Sequence, residues 1–312
     1  MPLRPRLSSA SAVLTRQIEA LDERQRRSTI AIPAERPLTI YLDKRELVTL
    51  MTLGAAPEAL TLGYLRNQRL ITRLDDIVSV QVDWEVESVA VTTRHGVDDL
   101  VARTAQRVVT TGCGQGSVFG GLLDDIASIA LPPDRRMAQS TLYRIVDTIR
   151  TQSSIYKAAG SVHGCALFDT NGALIYFIED VGRHNAVDAI AGLMWLADMG
   201  GADKIFYTTG RLTSEMVIKG AQMGIPFLLS RSGTTQMGHA VATQLGMALL
   251  ARCSGKHFLL LSAAERIDFD VASSEALSAA LGSESGSESG SESSSESGRE
   301  SPTHPLGHAG PG

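Results

Sequence analysis

The apolar and polar positions along the chain predict a different order of elements in its two halves. In the first half, apolar and polar residues alternate over 38–42, which predicts a strand. Apolar residues at helical spacing predict a helix over 57–69, and renewed alternation predicts paired strands at 78–86 and 89–93. A short helix is predicted at 13–21. The first half is therefore expected to be a mixed α+β domain.

In the second half, strands and helices alternate. The apolar runs 162–168 and 173–178 flank Asn171-Gly172, a dipeptide that strongly favours a β-hairpin turn. The segments that follow are a helix at 185–197, a strand at 205–208, a helix at 213–223, a strand at 226–229, a helix at 235–245 and a strand at 248–251. Alternation of this kind predicts a parallel sheet. The predicted fold class is thus α/β and α+β, in two domains.

Changes in composition set the expected boundaries. The five segments are a polar N-terminal arm, partly disordered, at 1–30, a mixed α+β domain at 31–139, a bridging helix at 140–158, a second domain at 159–272 and a tail at 273–312. The tail repeats Gly, Ser and Glu and cannot bury enough apolar surface to offset the entropy of ordering, so we expect it to be disordered.

Composition excludes several function classes. Only 5% of residues are aromatic, which is few for a protein that stacks nucleic-acid bases on its side chains. The net charge is −5, much of it from the tail, and the rest of the chain has no excess of basic residues, so a nucleic-acid partner is not expected. No apolar run is long enough to predict a membrane span or a secretory signal. Three widely spaced cysteines argue against a disulfide framework, so a reducing, cytoplasmic location is expected.

The run Thr111-Gly112-Cys113-Gly114-Gln115-Gly116-Ser117 is the strongest chemical signal in the sequence. Glycines on both sides of a cysteine predict a tightly bent, exposed loop. An exposed thiol is prone to oxidation and usually persists because its thiolate reacts, so Cys113 is the candidate nucleophile. Cys165 lies in an apolar strand and is interpreted as an inert core residue. Cys253, near a strand end, is either close to a ligand or inert.

Four polar loops of the second half follow or precede predicted strands. They contain His163-Gly164-Cys165, Gly182-Arg183-His184-Asn185, Gly210-Arg211 and Ser230-Arg231-Ser232-Gly233. Ligands of open α/β sheets bind at such loops, and Gly and Arg at a helix N-terminus favour an anion. An extended ligand with several phosphates is therefore predicted, and ordinary helix capping by Asn185, Thr213 and Thr235 is the alternative.

Metal and nucleotide-hydrolysis motifs are missing from the sequence. Zinc deaminases need His-x-Glu and Pro-Cys-x-x-Cys, whereas this chain has His163-Gly164-Cys165 and no Cys-x-x-Cys, so no metal site is predicted. His163 and His184 are then expected to hydrogen-bond a ligand or to be structural. The sequence also has no phosphate-binding P-loop and no Gly-x-Ser-x-Gly elbow.

Two long runs, together with the Cys113 loop, resemble the formate dehydrogenase accessory sulfurtransferase family, FdhD. The runs are Asp180-Val181-Gly182-Arg183-His184-Asn185-Ala186-Val187-Asp188 and Thr209-Gly210-Arg211 continuing to Ser214-Glu215-Met216-Val217. The resemblance extends over about residues 35–261. It implies a second domain similar to the cytidine deaminase fold but without zinc, and a homodimer.

The resemblance also implies a function. Cys113 would accept persulfide sulfur from a cysteine desulfurase and pass it to the molybdenum bis(molybdopterin guanine dinucleotide) cofactor, which formate dehydrogenase then receives. The residues expected to bind this cofactor are His163, Gly182, Arg183, His184, Asn185, Gly210, Arg211, Ala251, Arg252, Cys253, Ser254, Gly255 and Lys256. Arg183, Arg211 and Lys256 would neutralise phosphates. Gly182 and Gly210 would allow close approach, and the histidines and Asn185 would orient the rings.

The sequence departs from the family pattern at two positions. Many members have Cys-x-x-Cys where this chain has Cys113-Gly114-Gln115-Gly116, and Cys165 replaces a small apolar residue. One thiol suffices to hold a persulfide, but sulfide release would need an external thiol, Cys253, Cys165 or direct reaction at the metal. The missing cysteine keeps open an alternative, a chaperone that binds and escorts the cofactor without transferring sulfur. A nucleotide-sensing regulator is a third hypothesis.

Overall fold

Two sheets, each with its own hydrophobic core, organise the chain. The computed structural model describes residues 4–97, 108–109, 116–117 and 126–271. The strands of the first sheet are β1 (Arg6–Leu7), β4 (Arg36–Leu42), β5 (Arg45–Thr52), β6 (Ile77–Asp83) and β7 (Ser88–Thr93), in the order β1-β6-β7-β4-β5. Helix α1 (Pro57–Asn67) begins with Pro57 in its first turn. The predicted strands at 38–42, 78–86 and 89–93 and the helix at 57–69 are confirmed.

The N-terminal segment differs from the prediction. Residues 15–21 form a strand, β2 (Thr15–Leu21), which pairs antiparallel with β3 (Arg27–Pro33), so the helix predicted at 13–21 is wrong. Pairing with a second segment overrides the local spacing, because Ile18 gains Ile30 as its neighbour across the ribbon. The segment is anchored to α1, where the Glu58 carboxylate accepts hydrogen bonds from Ser8 Oγ at 2.5 Å and Ala10 N at 2.6 Å.

Cys113 lies outside the described residues. The nearest described elements are β8 (Val108–Val109) and β9 (Gly116–Ser117), which pair antiparallel. The predicted tail at 273–312 also lies outside the described residues.

The second sheet has six strands. They are β11 (His163–Asp169), β12 (Leu174–Asp180), β13 (Lys204–Thr208), β14 (Phe227–Ser230), β15 (Ala248–Ser254) and β16 (His257–Ser262), in the order β12-β11-β13-β14-β15-β16. The hairpin at Asn171-Gly172 is confirmed, with Gly172 at φ 78°. Strands β13, β14 and β15 are parallel as predicted, and the outer strands run antiparallel to their neighbours, so the sheet is mixed.

Helices cover both faces of this sheet. The helices are α2 (Gln139–Thr151), α3 (Ile155–Ala159), α4 (Arg183–Leu196), α5 (Ser214–Gln222) and α6 (Gln236–Gln244), with 3₁₀ turns at Leu74–Asp76, Ile126–Ser128 and Ala264–Arg266. One face packs against α4, α5 and α6. The other packs against α2 and the short pair β10 (Met137–Ala138) and β17 (Ile267–Asp268). The single helix predicted at 140–158 is two helices, because Ser154 caps a new one by accepting from Lys157 N.

Helices α1 and α4 join the two cores. They touch backbone to backbone where Gly63 faces Asp188 and Gly192 faces Ala59. A Cβ at Gly63 would lie 1.7 Å from Asp188 O, and one at Gly192 would lie 1.9 Å from Ala59 O, so only glycine allows this approach. The described residues up to Asp270 accordingly belong to one compact unit. The predicted domain boundaries and the likeness to cytidine deaminases stay predictions.

None of the helices in the described ranges is long and apolar enough to cross a membrane.

Candidate functional site

The predicted binding loops meet at one edge of the six-stranded sheet. Strand pairing places His163 opposite Asp180, Cys165 opposite Thr208, and Thr208 opposite Ser230. The start of β11 and the ends of β12, β13, β14 and β15 therefore lie side by side. The sheet edge thus brings together the polar loops that the sequence analysis singled out.

Asp180 and Asn185 form the base of this edge. The buried Asp180 carboxylate accepts hydrogen bonds from Thr52 Oγ1 at 2.5 Å, Leu53 N at 3.0 Å, Gly182 N at 3.0 Å and Asn185 Nδ2 at 2.7 Å. Burial raises the pKa of Asp180, and these four hydrogen bonds oppose the rise. Asn185 Nδ2 also donates to the Met51 carbonyl, so this network fastens the loop before α4 to β5 of the first sheet.

Only one of the three helix N-termini at the site is capped by the side chain of its N-cap residue. Thr235 caps α6 by accepting from Gly238 N at 3.2 Å. The N-cap of α4 is Gly182, so the predicted cap Asn185 is wrong, and Thr213 precedes α5 without a side-chain cap. The N-termini of α4 and α5 therefore have no hydrogen bond from an N-cap side chain, although Asp180 accepts from Gly182 N and Glu215 lies in the first turn of α5. Free N–H groups at a helix N-terminus favour an anion.

Arg183, Arg211 and His163 cluster beside these two helix ends. Arg183 is buried and lies against Gly210, where a Cβ would come within 2.7 Å of Arg183 Cδ. Its Nε has no hydrogen-bond partner among the described residues. Burial lowers the pKa of His163, and the nearby charges of Arg183 and Arg211 lower it further, so His163 is neutral at physiological pH.

A chain of buried ionic side chains runs beneath the cluster. Lys219 Nζ lies 2.7 Å from Asp188 Oδ2 and 3.6 Å from Glu215 Oε1, and Glu215 Oε2 lies 3.4 Å from His184 Nε2. Asn67 Nδ2 donates to Asp188 Oδ1 at 2.7 Å. Burial lowers the pKa of His184 to about 2, helped by the charges of Lys219 and Arg183.

Sequence reasoning assigned no role to Glu215, Lys219 or Asp188. The available signal was the i,i+4 spacing of Glu215 and Lys219 on a predicted helix, which usually marks a solvent-exposed pair. In the structure both side chains are buried, and Lys219 is only 1% exposed.

The two described cysteines are unreactive. The Cys165 side chain is buried in the core against α4, and burial raises the pKa of its thiol to about 12. Cys253 is buried in the core on the opposite face, and burial likewise raises its thiol pKa to about 12. The interpretation of Cys165 as a core residue is confirmed. Both sulfurs are buried and the pKa of each thiol is raised, which argues against sulfide release by either of them. The expectation that Cys253 contacts the ligand stays a prediction.

The run from Ala251 to Lys256 contains the end of β15 and the turn Gly255-Lys256 that leads into β16. Arg252, at φ 54°, and Lys256 are exposed, whereas Ala251 is buried. Arg252 N donates to the Ser232 carbonyl at 2.8 Å, which ties the end of β15 to the loop after β14. This run therefore adds two exposed cations, Arg252 and Lys256, at the end of β15.

Within the described ranges, no group of three or more His, Cys, Asp or Glu side chains is arranged to hold a metal ion.

Comparisons with known proteins agree on one family. The family model described as FdhD/NarQ family matches residues 33–268. A protein named Sulfur carrier protein FdhD from Wolinella succinogenes is 26% identical over 239 residues, covering 77% of this chain and 82% of the relative. The protein of the same name from Bacillus pumilus is 28% identical over 240 residues, covering 77% and 91%.

A solved structure is similar as well. The crystal structure of a candidate formate dehydrogenase accessory protein from Desulfotalea psychrophila superposes with a TM-score of 0.68 at 27% identity. The superposition covers 81% of this chain and 98% of that chain.

Proposed function

The chain belongs to the FdhD/NarQ family, and we propose that it is a sulfur carrier in the maturation of formate dehydrogenase, with Cys113 carrying the sulfur. The names of the relatives, sulfur carrier proteins and a formate dehydrogenase accessory protein, support this role. The donor is a cysteine desulfurase, and the recipient enzyme is formate dehydrogenase.

The assignment of the sulfur to Cys113 rests on excluding the other two cysteines. The sequence has three cysteines, and a sulfur carrier needs a thiolate that can attack an incoming persulfide. Cys165 and Cys253 are buried, and the pKa of each thiol is raised to about 12, so neither supplies a thiolate near neutral pH. Cys113, between two glycines in the sequence, is the one cysteine left for this chemistry.

Uptake of sulfur is a simple exchange. The Cys113 thiolate attacks the outer sulfur of the desulfurase persulfide and forms a new S–S bond, while the desulfurase cysteine leaves as its thiolate. Cys113 then holds the transferred sulfur as a persulfide. Because the other two thiols are unreactive, the sulfur is released either to an external thiol or directly to the metal of the substrate.

The proposed substrate is the molybdenum bis(molybdopterin guanine dinucleotide) compound. Its phosphates suit the sheet edge, where Arg183 and Arg211 lie near the N-termini of α4 and α5, and Arg252 and Lys256 are exposed further along, at the end of β15. The glycine at 210 leaves room for the Arg183 side chain against its loop. His163 and His184, both neutral, are hydrogen-bonding groups for the rings rather than additional cations.

Mass spectrometry of the intact protein tests the proposal. After incubation with a cysteine desulfurase and cysteine, the protein should gain about 32 Da, one sulfur atom, on Cys113. Cys113→Ala should show no gain, whereas Cys165→Ala and Cys253→Ala, matched cysteine controls, should retain it. An adduct that persists in Cys113→Ala would contradict the assignment.

The missing second cysteine favours one alternative, a chaperone that escorts the molybdenum compound without transferring sulfur. Complementation separates the two functions. In a strain that lacks this protein, Cys113→Ala should fail to restore formate dehydrogenase activity. Full activity with that variant would establish the escort role instead. We also propose a homodimer, which light scattering of the purified protein would measure directly.

A further inference from the structure

Five buried polar atoms without hydrogen-bond partners gather where α4 and α5 begin. They are Arg183 Nε, His184 Nδ1, His184 Nε2, Thr213 Oγ1 and Glu215 Oε1. Buried polar groups are normally paired, because each unpaired one costs about 1–3 kcal/mol. Two of the five have a charged neighbour within the protein, since His184 Nε2 lies 3.4 Å from Glu215 Oε2 and Glu215 Oε1 lies 3.6 Å from Lys219 Nζ. The other three, Arg183 Nε, His184 Nδ1 and Thr213 Oγ1, are left for a group that the protein itself does not provide. Glu215, in the motif Ser214-Glu215-Met216-Val217, has no role in the function proposed above.

Glu215 lies among buried charges. Lys219 and Asp188 are buried with it, and Lys219 Nζ is 3.6 Å from Glu215 Oε1. Burial and the Asp188 charge raise the pKa of Glu215, whereas the cations Lys219 and Arg183 lower it. The contact with the Lys219 cation favours Glu215 as a carboxylate, with acceptor oxygens only.

An ionised Glu215 decides where His184 carries its proton. Glu215 Oε2 is 3.4 Å from His184 Nε2. If Nε2 were the unprotonated nitrogen, its lone pair would face a negatively charged oxygen in a site that excludes water. Placing the proton on Nε2 turns this repulsion into an attraction. In a neutral imidazole, the other nitrogen, Nδ1, is then a hydrogen-bond acceptor.

We propose that Glu215 is a positioning residue that fixes neutral His184 as the tautomer protonated at Nε2, so that Nδ1 accepts a hydrogen bond from the ligand. Lys219, which Asp188 anchors at 2.7 Å, holds the carboxylate in place from the opposite side. The remaining charged or titratable groups around His184 are Arg183 and His163, and neither accepts the Nε2 proton in place of Glu215.

This arrangement selects a class of ligand group. An acceptor next to the Arg183 donor suits a planar heterocycle that offers a ring N–H beside a carbonyl oxygen. Pterin and guanine rings both carry this pair of groups, and this part of the inference rests on the proposed function. A ring nitrogen without hydrogen would place two lone pairs together and would be rejected.

Nitrogen NMR of histidine-labelled protein tests the tautomer directly. Two-bond ¹H–¹⁵N correlations at neutral pH distinguish the protonated nitrogen of each ring, and His184→Gln identifies the His184 signals by their loss. The wild-type protein should show His184 protonated at Nε2 alone, and in Glu215→Gln a population protonated at Nδ1 should appear. His239, whose Nε2 lies 2.9 Å from the Leu261 carbonyl, should stay protonated at Nε2 in both and reports that the fold is intact.

Either of two results would overturn the tautomer assignment. One is a wild-type His184 protonated at Nδ1, which decides the question even if Glu215→Gln fails to fold. The other is an unchanged His184 spectrum in a folded Glu215→Gln protein. For the ligand, titration of guanosine diphosphate into the labelled protein should shift the His184 Nδ1 resonance, and saturation without a shift would refute that part. None of these readouts depends on sulfur at Cys113, so a failure here is distinct from a failure of the proposed function.

Discussion

Replacing Gly63 with alanine tests whether the close contact of α1 and α4 holds the molecule together. The added Cβ would lie 1.7 Å from Asp188 O and 2.8 Å from Gly192 N. Both are backbone atoms, so no side-chain rotation relieves the overlap. The two helices would have to separate by roughly 1.5 Å to restore an ordinary non-bonded distance.

The expected cost combines two effects. Overpacking a close contact costs about 1–3 kcal/mol. The separation also disturbs Asp188, which holds Asn67 and Lys219 through contacts of 2.7 Å, and disrupting a buried ion pair costs about 3–5 kcal/mol when it is lost entirely. We therefore expect the free energy of unfolding to fall by about 3 kcal/mol or more. At about 2–4 °C per kcal/mol for a unit of this size, Tm falls by about 6–12 °C.

Thermal unfolding followed by circular dichroism measures this change, and Gly200→Ala is the matched control. A Cβ at Gly200 meets no atom within 4 Å, so that variant should stay within about 0.5 kcal/mol of the wild type. If Gly63→Ala unfolds at the same temperature as Gly200→Ala, the backbone contact does not constrain the two helices and the reasoning is refuted.

Three further predictions concern the site. Iodoacetamide at pH 8 should label the folded protein at Cys113 alone, and peptide mapping that finds the two buried cysteines labelled equally fast would contradict their raised pKa. Because the pKa of His184 is about 2 when folded but about 6.5 when unfolded, only the unfolded state takes up this proton as the pH falls. Urea titrations should therefore show that the wild type loses about 2 kcal/mol of unfolding free energy between pH 7 and pH 5, a loss that His184→Gln does not share. If the unfolding free energies of the two proteins change in parallel with pH, the buried ring is not neutral. Gly210→Ala should displace Arg183, whereas a Cβ at Gly233 meets open space, so Gly233→Ala is the control. Calorimetry should show about tenfold weaker binding of guanosine diphosphate to Gly210→Ala than to Gly233→Ala, and equal affinities would mean that Arg183 is not part of the binding site.

The elements that the sequence predicted well are those whose signals are local. The hairpin at Asn171-Gly172 needed only a turn dipeptide between two apolar runs, and Gly172 has the positive φ that such a turn requires. The loops of the binding edge followed from alternating strands and helices, because parallel strands direct their ends to one side. These signals lie within a few residues of each other, so the chain alone contains them.

The features that the sequence did not predict depend on distant partners. Strand β2 has apolar residues at spacings that also suit a helix, and only its pairing with β3 decides between them. Glu215 and Lys219 have the spacing of an exposed ion pair, and they are buried because Asp188, on another helix, faces Lys219. Gly63 did give a local hint, since a glycine inside a helix costs about 1 kcal/mol and usually has a packing reason.

The hydrogen bonds of Asp180 affect when the binding edge of the six-stranded sheet becomes complete during synthesis. Two of its four donors, Thr52 Oγ1 and Leu53 N, are 128 and 127 residues earlier in the chain. At ribosomal speed those donors are made on the order of 10 s before the carboxylate emerges. A nascent chain that stops short of Asp180 thus presents no finished binding edge, and unfinished copies do not compete for cargo with mature ones.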